Sequence, residues 1–242
     1  MNTPGTALIT GGTANLGLAI AQRLAADGWS LILNYAHDAA RAARAKQQLE
    51  GANATVRIVR ADVTDAGEVA RLFREAAGAA PIDLLISNVG GFLAKPFLET
   101  SPKDWDGLLA VNLLSAVYCC REALPGMRAR GTGSIIFVAS MHADRFRATP
   151  NTLPYSVAKS GLVAMTKTLA KTEGPYGIRV NAICPGFIDT EGGQNPSGVE
   201  ERIPLRRLGR PSEVAAVVGF LASNEAAYVT GEVINTHGGA LL

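Results

Sequence analysis

The chain has 242 residues, of which 48% are hydrophobic and 18% charged, enough apolar surface for one large α/β domain and unlike a disordered chain. A formal net charge of +2 on scattered Lys and Arg excludes a nucleic-acid groove and a polybasic membrane patch, and points to a small-molecule substrate. Residues 1–6 lack the order of a signal peptide and no stretch approaches roughly 18 apolar residues, so a cytoplasmic protein without a membrane span is expected. Cys119, Cys120 and Cys184, with His37, His142 and His237, form no cluster at ligand spacing, so no metal site is expected.

Strands are expected at residues 6–10, 30–34, 55–60, 83–87, 134–138, 179–183 and 232–235, separated by helical stretches of roughly 12 to 30 residues. This alternation predicts an α/β fold: a single domain over residues 1–242, doubly wound in the Rossmann manner, with a parallel seven-stranded sheet and helices on both faces. Leu31-Ile32-Leu33, Leu84-Leu85-Ile86 and Ile135-Ile136-Phe137-Val138 are apolar without alternation, which makes them central strands covered on both sides.

The first strand runs into Thr10-Gly11-Gly12-Thr13-Ala14-Asn15-Leu16-Gly17 and then a helix. Glycines there let the backbone approach a pyrophosphate, and free N–H groups at the helix start supply a positive end; the pattern alone also fits a plain tight turn. After the second strand, Asn34-Tyr35-Ala36 carries no acid. Asp38 precedes the helical run 39–49 and reads as its N-cap rather than as a ribose ligand. With His37, Arg41 and Arg44 nearby the spot is neutral to basic, so NADP(H) is expected over NAD(H).

Ser101-Pro102-Lys103-Asp104 opens a helix with a capping residue, a proline in the first turn and an acid three positions on. Its apolar stripe runs through Trp105, Leu108, Leu109, Leu113, Ala116 and Val117, and Asn112 shares that inward face, where it needs either a backbone partner or a task. Tyr155 and Lys159 are four apart on a later helix and address one pocket. A nearby fixed cation is expected to draw the tyrosine below its usual pKa near 10 and make it a tunable proton donor, although an isolated pair of this spacing also occurs by chance. Residues 189–198, rich in glycine and turn formers beyond the end of a strand, form a candidate lid.

Taken in register, the glycine turn at 10–17, Asp62-Val63, Asn88-Val89-Gly90, Asn112, Ser140, Tyr155 with Lys159, and Pro185-Gly186 resemble the short-chain dehydrogenase/reductase family over essentially the whole chain. The tail, Pro204-Leu205-Arg206-Arg207-Leu208-Gly209-Arg210-Pro211 and Val229 to Asn235, is similar to that of the 3-oxoacyl-carrier-protein reductase branch. The resemblance implies hydride transfer between a nicotinamide cofactor and a carbonyl or alcohol. In it Tyr155 is the proton donor, Ser140 bonds the carbonyl oxygen, Lys159 holds the nicotinamide ribose, and Asn112 orders a relay water. It further implies Gly11, Thr13, Asn15, Leu16, Gly17, Asn34, Tyr35, Asp62, Val63, Asn88, Gly90, Pro185, Gly186 and Ile188 at the cofactor, and Phe92, Met141, His142 and Phe187 at the substrate. A homo-oligomer, a tetramer by resemblance, is expected, and the apolar ending Ala240-Leu241-Leu242 favours burial.

The departures are Asn15 in place of a second glycine, Ser87 and Val89 in the motif after the fourth strand, and a long interval between Ser140 and Tyr155, expected to bulge over substrate. An acyl carrier protein is the partner suggested by Arg128, Arg130 and Lys171. On the same scaffold a sugar or steroid alcohol dehydrogenase or a pteridine reductase remains open, as does a non-catalytic dinucleotide-binding regulator, which the intact Ser–Tyr–Lys–Asn set speaks against.

Overall fold

Leucine, isoleucine and valine runs pair into a seven-stranded parallel sheet in the computed structural model, which describes residues 5–78, 80–144, 150–193 and 195–242. The strands are β1 (Thr6–Ile9), β2 (Ser30–Tyr35), β3 (Val56–Arg60), β4 (Ile82–Ser87), β5 (Gly133–Val138), β6 (Ile178–Pro185) and β7 (Val233–Thr236), each within two residues of its expected bounds. Their order is β3-β2-β1-β4-β5-β6-β7, every pair parallel. The chain reverses its winding between β1 and β4, and in an open sheet of this kind a ligand crevice lies beyond the carboxyl ends of the strands at that point.

Among the described residues seven α-helices cover the sheet: α1 (Asn15–Ala26), α2 (Ala39–Glu50), α3 (Ala66–Ala77), α4 (Pro102–Leu109), α5 (Ser115–Arg130), α6 (Leu153–Glu173) and α7 (Pro211–Ala222). Alternate strand residues enter two separate cores. Leu8, Leu85, Ile135, Phe137, Val180 and Cys184 meet α3, α5 and α6, whereas Ala7, Ile9, Leu84, Ile86, Ile136 and Ile183 meet α1, α2 and α7. Both faces being buried explains why the central strands carry apolar residues at every position.

Side-chain caps fix several helix starts. Asp38 accepts from the Arg41 amide at 2.8 Å, Asp65 accepts from that of Glu68 at 2.8 Å, and Ser101 with Asp104 closes a reciprocal capping box. The helix opened there departs from expectation: between α4 and α5 the chain makes a π turn, Ala110–Leu114, with Asn112 at its centre. Contrary to the expectation that no membrane-length apolar stretch exists, the 29-residue run Pro102–Arg130 has the length and hydropathy to cross a membrane. Ala116, Cys119, Cys120, Ala123 and Met127 of this run pack into the first core, as the apolar face of a core helix does.

Candidate active site

The elements bring four chemically capable side chains to the ends of β4 and β5. Ser140 lies just beyond β5, and Tyr155 and Lys159 stand on the first turns of α6. The Ser140 side chain lies near enough to the Tyr155 hydroxyl to favour its ionised form. Lys159 is only 4% exposed; its Nζ donates to the Val138 carbonyl at 2.8 Å and sits 5.8 Å from the centre of the Tyr155 ring. Burial pulls the Lys159 ammonium down from its usual 10.5 to about 8. Tyr155 moves the opposite way from the expectation: burial holds its hydroxyl above the ordinary phenol range, and the Ser140 side chain offsets this only in part. Desolvation of the phenolate outweighs what the Ser140 hydroxyl offers it.

Asn112 answers to both of its readings. Its Nδ2 donates to the Leu108 carbonyl at 3.0 Å and to the Gly91 carbonyl at 2.9 Å, tying the π turn to the strand β4 exit. Its Oδ1 is buried and has no partner among the described residues. A methyl added at Gly90 would come within 2.8 Å of that oxygen and 3.1 Å of Lys159 Nζ. Both atoms therefore border one small space, which a single water can bridge.

The turn after β1 is shaped for close approach. Gly11 takes φ 61° and Asn15 φ 47°, the left-handed region that asparagine tolerates best after glycine. A side chain at Gly17 would fall on the Gly11 carbonyl, so α1 can start this close to β1 only with glycine there. Helix α1 has Ala14 as its N-cap, with no side-chain cap and no acid in its first turn, leaving amides free for an anion. Asn88 braces the turn from β4: its amide donates to Thr10 Oγ1 at 2.9 Å and its Nδ2 to the Thr10 carbonyl at 3.0 Å. Asn34 turns inward; it is 1% exposed, with Nδ2 on the Ala61 carbonyl at 2.8 Å and Oδ1 accepting from the Gly11 amide at 3.4 Å. Its side chain therefore shapes the turn from behind. Asp62 holds Thr64 through both its amide and its hydroxyl, which keeps the carboxyl below the usual range, and Val63 beside it is buried. Thr13 is buried in the turn and Leu16 packs under it.

Residues 12–240 match the family profile described as enoyl-(acyl carrier protein) reductase. The chain is 36% identical over 240 residues to an acetoacetyl-CoA reductase of Rhizobium meliloti, covering 96% of this chain and 97% of that one. To the 3-oxoacyl-[acyl-carrier-protein] reductase FabG of Staphylococcus aureus it is 30% identical over 240 residues, with 97% of each covered. The fold superposes with a TM-score of 0.93 on a putative gluconate dehydrogenase from Agrobacterium tumefaciens, at 34% identity and with 98% and 95% coverage. The chain belongs to the short-chain dehydrogenase/reductase family. It is thus an oxidoreductase of a family that works with a nicotinamide dinucleotide on alcohol and carbonyl groups.

Other candidate residues of this short-chain dehydrogenase/reductase fall around that centre. Phe92 lies edge-on to the Tyr155 ring at 5.2 Å and is more than half exposed. Met141 follows Ser140, its amide donating to the Pro185 carbonyl at 3.0 Å, and His142 is half-buried next to it. Residues Phe187 and Ile188 leave β6 and pair with Gly209, so the base of the loop at 189–198 is a short ladder rather than a free coil. That loop reaches the glycine turn, where Asn15 Nδ2 meets the Glu191 carbonyl at 3.5 Å. The expected bulge between Ser140 and Tyr155 falls largely on residues 145–149, outside the described residues.

One residue escaped the sequence reading. The register of β2 with β3 sets Arg60 beside Tyr35, and its Nε donates to the Ala36 carbonyl at 3.1 Å. Strand pairing is the only signal that could have brought it to the β2 end. Two of the three basic residues expected at a carrier protein bond within the chain: Arg128 makes a two-pronged bond to Glu173 at 2.6 and 2.8 Å, and Arg130 donates to the Ile82 carbonyl at 2.6 Å. Arg128 lies sixteen residues along the helix from Asn112, about 24 Å at 1.5 Å per residue. Of the apolar ending, Leu241 is buried within the chain and Leu242 is exposed.

Proposed function

We propose that the protein is an NADP(H)-dependent ketoreductase that converts a ketone, a 3-oxoacyl thioester or a similar carbonyl compound, to the alcohol. The observation that carries this reading is the Ser140–Tyr155 hydroxyl pair held against the buried Lys159. The cradle fits the cofactor: a side chain at Gly17 or Gly90 would fill space next to the Gly11 carbonyl or the Asn112–Lys159 pair, and the uncapped start of α1 offers amides to a pyrophosphate. When bound, the nicotinamide supplies the hydride. Gly11, Thr13, Asn15, Leu16, Gly17 and Asn88 would then surround the phosphates and adjoining ribose, Asp62 and Val63 the adenine, and Gly90, Pro185, Gly186 and Ile188 the nicotinamide side.

Tyr155, protonated at neutral pH as any phenol is and held above the ordinary phenol range by burial, gives its proton to the carbonyl oxygen. Ser140 donates a second hydrogen bond to that oxygen as charge develops. Lys159, still charged at pH 7 with a pKa of about 8, stabilises the phenolate left behind, and Asn112 Oδ1 holds a water that returns a proton through Lys159. Phe92, Met141, His142 and Phe187 line the approach.

At the β2 end, Asp38 is committed to capping α2 and Arg60 leans over the Ala36 carbonyl, which favours a 2′-phosphate over a bare ribose. The reading extends to residues 1–242 acting as one domain in the cytoplasm, as a tetramer, on a soluble substrate; light scattering at micromolar concentration tests the assembly, and a monomer mass refutes it. Ketones and 3-oxoacyl thioesters supplied with NADPH and followed by loss of its absorbance test the activity. Oxidation of NADPH dependent on the ketone supports it, and none over a broad panel, with cofactor binding intact, leaves the dinucleotide-binding regulator.

A further inference from the structure

An exposed aromatic ring stands beside the proton donor. Phe92 lies on the segment that follows β4; its ring centre is 5.2 Å from that of Tyr155, and the two planes cross at 78°. Whichever ring presents its edge, at least one face of Phe92 is left free of Tyr155, and the side chain is 58% exposed. Tyr155 and Ser140 are themselves only half-buried, so a molecule held at their hydroxyls can also cover Phe92.

Isolated apolar side chains on a surface are ordinary, but the backbone on both sides of this one is tied down. Before it, the Gly91 carbonyl accepts from Asn112 Nδ2 at 2.9 Å. After it, the Lys95 amide donates to the Asn151 carbonyl at 2.7 Å, just ahead of the turn of α6 that carries Tyr155. The ring is thus positioned before any ligand arrives, which lowers the ordering cost of binding against it. Lys95, the charged residue between Gly91 and Pro96, has its Nζ 3.1 Å from Asp104 Oδ2. The wall therefore offers apolar and π contact and no uncommitted cation for a phosphate or carboxylate. Aromatic rings meet with centres roughly 4.5–7 Å apart and gain more from one another than their buried area accounts for.

We infer that Phe92 determines specificity at the carbonyl site, and that the substrate is a ketone bearing an aromatic ring within a few bonds of the carbonyl. That ring packs on Phe92 while the ketone oxygen rests at Tyr155 and Ser140. This rests on the ketoreductase reading and deepens it, favouring aryl-substituted ketones over unbranched acyl thioesters. Phe92 takes no part in the proton transfer.

The test compares benzylacetone with its saturated counterpart, 4-cyclohexylbutan-2-one. Neither ring is conjugated to the carbonyl, so the two ketones are equally reactive, and burial alone gives the saturated ring no disadvantage. NADPH consumption is followed with the native enzyme, Phe92→Leu and Phe92→Tyr, and the dissociation constant for NADPH checks that each variant is folded. The native enzyme is expected to prefer benzylacetone about three- to tenfold in kcat/KM, the range that aromatic pairing supplies. Phe92→Leu should bring the ratio to within about twofold of one, and Phe92→Tyr, which keeps the ring, should retain the preference. A native ratio of one or below, an unchanged ratio in Phe92→Leu, or its loss in Phe92→Tyr overturns the aromatic subsite while leaving the ketoreductase reading intact. If no ketone is reduced, that reading fails, and the subsite is then decided by calorimetric titration of both ketones into the native protein with NADP+ bound. Benzylacetone binding at least about threefold tighter supports it; equal binding, or none, overturns it.

Discussion

Replacing Lys159 by Met should make the protein more stable at neutral pH and inactive. The ammonium is 4% exposed, and burial has brought its pKa from 10.5 to about 8; that difference corresponds to about 3 kcal/mol of unfavourable burial of the charge. Methionine fills a similar volume without charge but leaves the Val138 carbonyl without its donor, a loss of about 1 kcal/mol. The variant should therefore be about 2 kcal/mol more stable at pH 7. The sign with pH follows from proton binding. Below pH 8 the native and unfolded wild-type chains both carry the proton, and the full burial cost is present. Between about pH 8 and 10.5 the unfolded chain binds more protons than the native one, so the wild type gains on the variant as pH rises. Above 10.5 the order reverses, and the variant is less stable by about 1 kcal/mol, the value of the lost hydrogen bond. Urea unfolding of both proteins from pH 6.5 to 10.5 measures the gap. Parallel stability curves would refute the claim that a charged lysine is held out of water here.

Arg60→Ala should weaken NADPH binding about tenfold, the value of one charge-assisted contact, and leave NADH nearly unchanged; Tyr35→Asp should erode or reverse the preference, and steady-state kinetics with both cofactors decides each. An equal loss for both cofactors would remove Arg60 from the phosphate site. Gly17→Ala, whose methyl would meet the Gly11 carbonyl, should cost about 1–3 kcal/mol of stability and weaken cofactor binding; calorimetric titration with NADPH showing native affinity would show that the turn tolerates the opening.

The sheet was legible because it is buried on both faces: Leu31 to Leu33, Leu84 to Ile86 and Ile135 to Val138 announce themselves as central strands by their unbroken apolarity. The site was legible wherever a motif is local, as with the glycine turn and the four-residue step from Tyr155 to Lys159. Features set by pairing across the sequence were not. Arg60 reaches the β2 end only through the β2–β3 register, and Asn34 faces inward because the Gly11 amide and the Ala61 carbonyl meet there. The π turn at Asn112 has no local signal, since Ala110-Val111-Asn112-Leu113-Leu114 reads as ordinary helix. The direction of the Tyr155 shift depends on a balance between burial and the Ser140 hydroxyl that needs coordinates.

The central claim is that Tyr155 delivers the proton to a carbonyl beside a reduced nicotinamide. Tyr155→Phe removes one oxygen and keeps the ring that Phe92 meets edge-on, so the fold and the cofactor cradle should persist. Measured with NADPH and whichever ketone the native protein turns over best, kcat should fall by roughly 10² to 10⁴, the usual contribution of a positioned acid, with the dissociation constant for NADPH changed less than about threefold. Turnover within a few-fold of native would contradict the account, because another group would then be supplying the proton.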